Sequence, residues 1–235
     1  MLADADLLEL WDRCLGRPPG AQAGALLAAA EPDADPTVLS AGQRDAALLR
    51  LQARYFGGQL EAVADCRTCG ELLEVVVDAA ELAVVGRSAL AEDFAIRVGE
   101  YEVRFRAPTA ANLAMLPSDG AELLATCVTL ARRVVDGASV EAAELPRAVR
   151  AAIEEMMAAA DPGAELELAL SCPACGHAWT EVLDPVQFLW AAIDARAHLV
   201  AGEVHTLAEA YGWSEPAILA QSPARRRLYL EVLGG

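Results

Sequence analysis

Two pairs of cysteines in this chain have the spacing of metal ligands. Cys66 and Cys69 form the first pair, Cys172 and Cys175 form the second, and a glycine directly follows each pair. Two thiolates separated by two residues can bind one metal ion from a tight turn, and the glycine supplies the positive φ that such a turn needs. A tetrahedral zinc ion needs four ligands, and each turn offers two. The pairs therefore predict one Zn²⁺ site whose ligands are all four cysteines.

Redox-active pairs and disulfides are the alternatives for the same spacing. Redox pairs usually lie where a strand meets a helix, because the helix N-terminus lowers a thiol pKa, whereas strand-like residues follow both turns here. Disulfides need an oxidising compartment, and nothing in the sequence indicates one. His177 is an alternative ligand, but with four cysteines present we expect a solvent-facing turn residue. The single Cys14 and Cys127 are expected to be small buried apolar side chains.

A zinc ion held by four cysteines has no open coordination position for water or substrate. We therefore expect the ion to stabilise the fold and not to catalyse a reaction. The sequence also contains no G-x-x-x-x-G-K-[ST], G-x-S-x-G or H-E-x-x-H motif. These observations predict a protein without enzymatic activity and without catalytic residues.

Strand-like residues flank each cysteine turn, at 60–64 and 72–77 for the first and at 166–170 and 179–183 for the second. Each turn is thus expected to join a β-hairpin, as in a zinc ribbon. Elsewhere, apolar periodicity and capping residues predict helices. They are expected over 5–15, 21–30, 41–56 after a Ser40 cap, 110–115 after Thr109, 119–135 after Ser118, 146–160 and 185–211, with two short helices after Ser214 and Ser222.

A further hairpin is predicted between the two cysteine turns. Its strands cover 94–98 and 101–106, joined by a Gly-Glu turn. A charged strand face is usually solvated, which we favour here over a binding face. Alternation places Tyr101, Val103 and Phe105 on one face of the second strand, and Glu102, Arg104 and Arg106 on the other.

These elements predict a mainly α fold with a small β content. A discontinuous four-cysteine zinc ribbon would carry an inserted hairpin with helices, and helical segments would flank it at both ends. The predicted units are 1–59 (N-terminal helices), 60–78 (first half of the ribbon), 79–164 (insertion), 165–184 (second half of the ribbon) and 185–235 (C-terminal helices).

Composition narrows the function classes. The chain has 235 residues, is 55% hydrophobic and carries a net charge of −17, with arginine as its only basic side chain apart from histidine. Such a charge repels phosphate backbones, which argues against nucleic-acid binding. No apolar run is long enough to span a membrane, and no signal peptide is evident, so a cytoplasmic protein is expected. The Arg225–Arg227 triplet could contact nucleic acid or a partner's acidic groove.

Several stretches together resemble a known family. They comprise the helix with Gly42-Gln43-Arg44-Asp45-Ala46, the first cysteine turn, Val103-Arg104-Phe105-Arg106-Ala107-Pro108-Thr109, Cys172-Pro173-Ala174-Cys175-Gly176-His177 and Phe188-Leu189-Trp190. This arrangement resembles the baseplate-hub assembly chaperones of contractile-tailed phages and related contractile injection systems. The segment from Glu203 to Leu230 is similar to small proteins of tail gene clusters. Residues 1–39 lie outside the resemblance.

The resemblance implies a non-enzymatic assembly factor that binds baseplate, hub or spike proteins of a contractile tail. A permanent structural subunit of the particle is the alternative, and a nucleic-acid-binding ribbon regulator is a third, less favoured hypothesis. The helical parts are the expected partner surface.

Overall fold

The computed structural model describes residues 3–86, 93–115 and 120–234. It is a mixed α and β structure, 53% helical and 21% strand, so helix predominates as predicted. The helices are α1 (Asp4–Cys14), α2 (Pro19–Ala30), α3 (Ala41–Tyr55), α4 (Ala79–Val85), α5 (Ala110–Met115), α6 (Gly120–Cys127), α7 (Arg147–Ala160), α8 (Pro185–Tyr211), α9 (Glu215–Leu219) and α10 (Pro223–Gly234). The strands are β1 (Gln59–Asp65), β2 (Leu72–Asp78), β3 (Phe94–Val98), β4 (Tyr101–Phe105), β5 (Val128–Arg133), β6 (Leu166–Ser171) and β7 (Ala178–Leu183).

Local capping signals set several helix ends where the sequence predicts them. Ser40 and Gln43 form a reciprocal capping box at the start of α3. The Asp184 carboxylate accepts from two amide N–H groups at the start of α8, and Gly212 ends that helix with a φ of 65°. The prediction of a 27-residue helix between these signals is confirmed.

A layer formed by α1, α2, α3 and α8 contains one hydrophobic core. The Trp11 indole N–H also donates to Asp194 at 2.7 Å, which ties α1 to α8. The shared core and this hydrogen bond together fix α8 against the N-terminal helices. The largest fully buried side chains of this core are Leu10, Leu26, Leu48, Leu189 and Ile193.

The two cysteine turns each close an antiparallel hairpin, β1–β2 and β6–β7. In the described chain these are two separate two-stranded sheets, and no strand of the first hairpin pairs with a strand of the second. Leu60 at the open end of the first hairpin packs in one core with Leu166 and Leu183 of the second. Ala46 and Leu49 of α3 complete that core with residues of α4, a helix that was not predicted. The hairpins thus stand on α3 and α4, with their cysteine turns at the far ends.

A third sheet, in the order β3-β4-β5, packs against α7. Its core centres on Val103, Phe105 and Ile153, all fully buried. The predicted helix over 119–135 is wrong beyond Cys127: the chain there enters β5, which pairs along β4 from Val128 to Arg133. Ladder bonds to β4 replace the helical bonds that the sequence favoured. The predicted Ser118 cap lies outside the described residues.

Three glycines meet where this part of the chain joins the rest. An added Cβ on Gly86, after α4, would lie 2.1 Å from the carbonyl oxygen of Gly42. An added Cβ on Gly163, after α7, would lie 2.6 Å from the Cα of Gly86. Backbones this close exclude any side chain. The chain therefore leaves and returns at one point beside the start of α3, while the division into five segments stays a prediction.

The middle residue of the arginine triplet is buried. The Arg226 side chain is 1% exposed, donates to Glu203 at 2.8 Å and pairs with Asp4. It therefore joins α10 to α8 and α1 and is not available to a nucleic acid or a partner, so the predicted contact surface of the triplet is reduced to the exposed Arg225 and Arg227. Among the described residues, no helix has the length and apolarity to cross a membrane.

Candidate metal centre

The two cysteine turns share one backbone geometry. In the first, the Cys66 N–H donates to the Glu71 carbonyl at 2.9 Å and the Gly70 N–H donates back to the Cys66 carbonyl at 2.8 Å. In the second, Cys172 repeats both bonds, with His177 and Gly176 at 2.8 and 2.9 Å. Gly70 and Gly176 have φ values of 76° and 74°, as expected for glycines that close such turns.

The folded chain brings the two turns together. The Sγ atoms of Cys66 and Cys175 lie 3.7 Å apart, and those of Cys69 and Cys172 lie 3.6 Å apart. All four Sγ atoms lie within 4.8 Å of one another. The predicted convergence of four sulfurs from distant parts of the chain is therefore found.

These distances suit a shared tetrahedral ion. A Zn–S bond of about 2.3 Å places the corners of a tetrahedron about 3.8 Å apart, whereas a disulfide brings two sulfurs to about 2.05 Å. The two short pairs at 3.6 and 3.7 Å lie near the tetrahedral edge. All six cysteines of the chain are free thiols in this structure. The arrangement is thus able to hold one metal ion with four sulfur ligands.

Crowding shapes the acidity of these thiols. Burial raises the pKa of Cys66, but amide N–H groups within its turn and neighbouring thiols outweigh burial and lower the pKa to about 6. The pKa of Cys69 rises to about 12: the Glu71 N–H lowers it, but the sulfurs of the second turn raise it more. The His177 N–H and the Cys69 thiol lower the pKa of Cys175, but burial and the thiols of Cys172 and Cys66 raise it more. Cys66 therefore ionises readily whereas Cys69 and Cys175 resist ionisation, and a cation among the sulfurs would favour the thiolate forms.

His177 takes no part in the sulfur cluster. Its ring stacks on Trp179 at 5.6 Å between centroids, and its backbone supports the turn. The expectation that it is a turn residue agrees with this placement. Cys14 and Cys127 are buried, 0% and 3% exposed, and burial raises the pKa of both thiols. They are the inert apolar residues that the sequence indicated.

Sequence reasoning did not identify the amides that face the sulfurs. The N–H groups of Thr68 and Cys69 donate to the Cys66 sulfur, and those of Glu71 and His177 donate to Cys69 and Cys175. These donors are backbone amides, so the residue types at these positions do not reveal them. The glycine after each cysteine pair is the sequence feature that indicates this turn geometry.

Comparison with known proteins adds an independent finding. The sequence model of the family described as "T4 bacteriophage base plate protein" matches residues 25–190. No curated protein and no solved structure matches the chain. The match begins well before residue 40, where the resemblance was expected to start, and it ends before the C-terminal segment that seemed similar to tail-cluster proteins. It includes both cysteine turns and covers well over half of the sequence, so the chain belongs to the T4 bacteriophage base plate protein family.

Proposed function

We propose that the protein is a non-enzymatic assembly chaperone or adaptor that binds baseplate or hub proteins of a phage tail or contractile injection system. The observation that carries this proposal is the family match, which spans α3, both cysteine hairpins and the sheet between them. Its partners would then be other baseplate components. The four-cysteine centre would stabilise the fold that presents the partner surface.

Within this proposal the metal is a structural Zn²⁺ held by Cys66, Cys69, Cys172 and Cys175. The sulfur positions support it, because four thiols within 4.8 Å satisfy a tetrahedral ion completely. Such an ion would join two hairpins that also share the core at their base and an ion pair between Arg67 and Glu181. Apparent zinc-binding free energies of roughly 10–16 kcal/mol are known for small four-ligand peptides, so the ion would contribute strongly to folding.

Co-purification tests the assembly role. The tagged chain is expressed together with the baseplate, hub and spike proteins encoded beside it, and the bound proteins are identified by mass spectrometry. We expect a stoichiometric complex with at least one of them that survives gel filtration. Recovery of none of these components would contradict a role in the baseplate.

A permanent subunit of the particle is the second candidate function. The family description favours it, since it names a base plate protein and not an assembly factor. Quantitative mass spectrometry of purified, finished particles separates the two functions. An assembly chaperone should be absent from those particles, whereas a subunit should be present at a fixed number of copies.

Nucleic-acid binding by the arginine triplet is weakened as a hypothesis, because its middle arginine is not available to a ligand. Arg226 is buried in an ion-pair network, and the chain carries a net charge of −17. A gel shift that weakens steeply with added salt would revive this function.

A further inference from the structure

The first strand of the three-stranded sheet has an open edge. Within the described ranges, β3 pairs only with β4. Val98 lies opposite Tyr101 across a two-residue turn, and the pair that closes such a hairpin exchanges both backbone hydrogen bonds. Hydrogen-bonded pairs recur at every second residue of an antiparallel ladder, so the backbone N–H and C=O of Ile96 also bond to β4. The N–H and C=O groups of Ala95 and Arg97 consequently face away from β4, ready to pair with another strand.

A groove of about 570 Å³ runs beside this edge, between β3 and α7. A strand added to β3 would point alternate side chains into this groove. The groove is mostly apolar, and its two charged residues, Arg97 and Glu155, have opposite signs, so apolar side chains are favoured there. Its lining residues are Ala95, Ile96, Arg97 and Val98 of the strand, and Ala152, Glu155, Met156 and Ala159 of the helix.

The opposite face of the sheet is basic. Arg97, Arg104 and Arg132 lie on it with Glu102, which pairs with Arg132 at 2.8 Å, and at its end Asp93 pairs with Arg106 at 3.0 Å. In the described part of the chain, Arg97 and Arg104 have no acidic side chain within ion-pair distance, although both act on Glu102 through space. A positive face stands out on a chain with a net charge of −17. An acidic segment repelled elsewhere on the surface would be attracted here.

We propose that the free edge of β3 binds an extended segment of another protein, in which acidic side chains alternate with apolar ones. The segment continues the sheet through the outward backbone groups of Ala95 and Arg97. Its acidic side chains lie beside Arg97 on the basic face, and its apolar side chains enter the groove over Met156. This is strand addition, in which backbone bonds give affinity and alternate side chains give specificity.

This inference deepens the proposed function, on which it rests for the identity of the partner as a baseplate component. It places the partner surface on the sheet, whereas the sequence led us to expect it on the helical parts. A second copy of this chain fits the edge poorly. In the register centred on Arg97, two antiparallel β3 strands would bring two Arg97 side chains together, and like charges on paired strands are destabilising.

A peptide titration tests the surface directly. The probe is a fluorescent eight-residue peptide of alternating valine and aspartate, titrated with the full chain at low salt and followed by anisotropy. The comparison probe alternates valine and arginine. We expect saturable binding of the aspartate peptide with a Kd below about 1 mM, and no saturation with the arginine peptide.

Two matched pairs of variants locate the binding. Arg97→Glu is expected to weaken aspartate-peptide binding at least about tenfold and to allow binding of the arginine peptide, whereas Arg225→Glu, the same charge change on exposed α10, leaves binding unchanged. Ala159→Glu extends an acidic side chain from the rim of the groove and should weaken binding, while Ala151→Glu, at an exposed site on the same helix, should not. Circular dichroism confirms that each variant is folded.

The outcomes are distinct. Absence of binding, or equal binding by wild type and Arg97→Glu, overturns the proposal. A wild-type chain that light scattering shows to be a dimer, and that Arg97→Glu converts to a monomer, assigns the edge to a second copy and also overturns it. Because the peptide is synthetic, its binding does not depend on the baseplate role. Peptide binding without co-purification of tail proteins would contradict the proposed function and leave this inference standing. Co-purification of tail proteins that Arg97→Glu does not affect would contradict this inference and leave the proposed function standing.

Discussion

The carboxylate of Asp161 accepts a hydrogen bond from the amide N–H of Gly42 at 2.9 Å, across 119 residues of sequence. Gly42 lies in the first turn of α3, where amide groups have no partner within the helix and favour a negative charge. A Cβ at this position would lie 2.2 Å from Asp161 Oδ1 and 2.8 Å from the carbonyl carbon of Gly163. The bond and the close approach together fix the end of α7 on the start of α3.

Gly42→Ala is therefore expected to destabilise the protein. The added methyl group must displace both the carboxylate and a backbone segment, and overpacking of this kind costs roughly 1–3 kcal/mol. Gly24→Ala is the matched control, because Gly24 lies inside α2 with no atom within 4 Å of an added Cβ. That change should stabilise the protein by up to about 1 kcal/mol. The unfolding temperatures of the two variants, compared with wild type, test this prediction. An unchanged unfolding temperature for Gly42→Ala would contradict the close approach of these backbone segments.

Cys175→Ser is expected to lower both the bound metal and the thermal stability. Three sulfurs and a hydroxyl make a weaker site for zinc, and loss of roughly 10–16 kcal/mol of binding free energy matches or exceeds the usual 5–15 kcal/mol stability of a domain. Elemental analysis should give about one zinc per wild-type chain and much less for the variant.

Cys127→Ala supplies the control for the metal prediction. This buried cysteine lies outside the sulfur cluster, so its removal should leave the zinc content unchanged. A chelator should then lower the unfolding temperature of wild type and Cys127→Ala alike. If Cys175→Ser kept full zinc content, Cys175 could not be one of the ligands.

Arg226→Met tests the ion-pair network between α1, α8 and α10. Its guanidinium is 1% exposed and bonds to Glu203 and Asp4, so its removal leaves these two carboxylates with Arg196 as their remaining cation partner. Loss of one partner of a buried pair costs roughly 3–5 kcal/mol. Arg225→Met, at the exposed neighbour, should lie within about 0.5 kcal/mol of wild type in the same denaturant titration. Similar losses for both variants would mean that α10 is not anchored through Arg226.

The pH dependence of stability should distinguish Asp45 from Asp35. Burial raises the pKa of Asp45, with the Arg44 hydrogen bond and charge as weaker opposing effects. Because the folded-state pKa is raised, the stability linked to Asp45 is complete below about pH 3.9 and is lost as the pH rises through the folded-state value. Asp45→Asn lacks this loss, so its stability relative to wild type should increase from about pH 4 to 7.

Asp35→Asn should show the opposite trend. Hydrogen bonds from the Thr37 side chain and amide lower the Asp35 pKa, so its contribution is present at neutral pH and is lost on acidification through the lowered value. Relative to wild type, Asp35→Asn is then least stable at neutral pH and approaches wild type in acid. Denaturant unfolding at several pH values measures both trends, and parallel curves for the two variants would contradict the assignment.

Features set by neighbouring residues were predictable from sequence. Ser40, Asp184 and Gly212 act on helix ends within a few residues, and the cysteine turns are encoded by five-residue motifs. Their meeting followed from valence, since four ligands are needed and each turn supplies two.

Features set by distant contacts were not predictable. The residues of β5 continue a helical pattern and become a strand only because β4 is there to pair with them. Nothing local separates Arg226 from the arginines on either side, because its carboxylate partners come from α1 and α8. The approach of Gly42, Gly86 and Gly163 is likewise a product of three separate segments.

The spacing of the sulfur pairs has a consequence during protein synthesis. Cys69 and Cys172 lie 103 residues apart, and a ribosome adds roughly 5–20 residues per second. The first turn therefore leaves the exit tunnel roughly 5–20 s before the second turn does. Throughout that interval the nascent hairpin supplies only two of the four sulfurs. A chain terminated before the second turn would never gain the other two. The sulfur cluster can thus be completed only after the second turn has been synthesised. A complete cluster therefore distinguishes chains that contain both turns from shorter fragments.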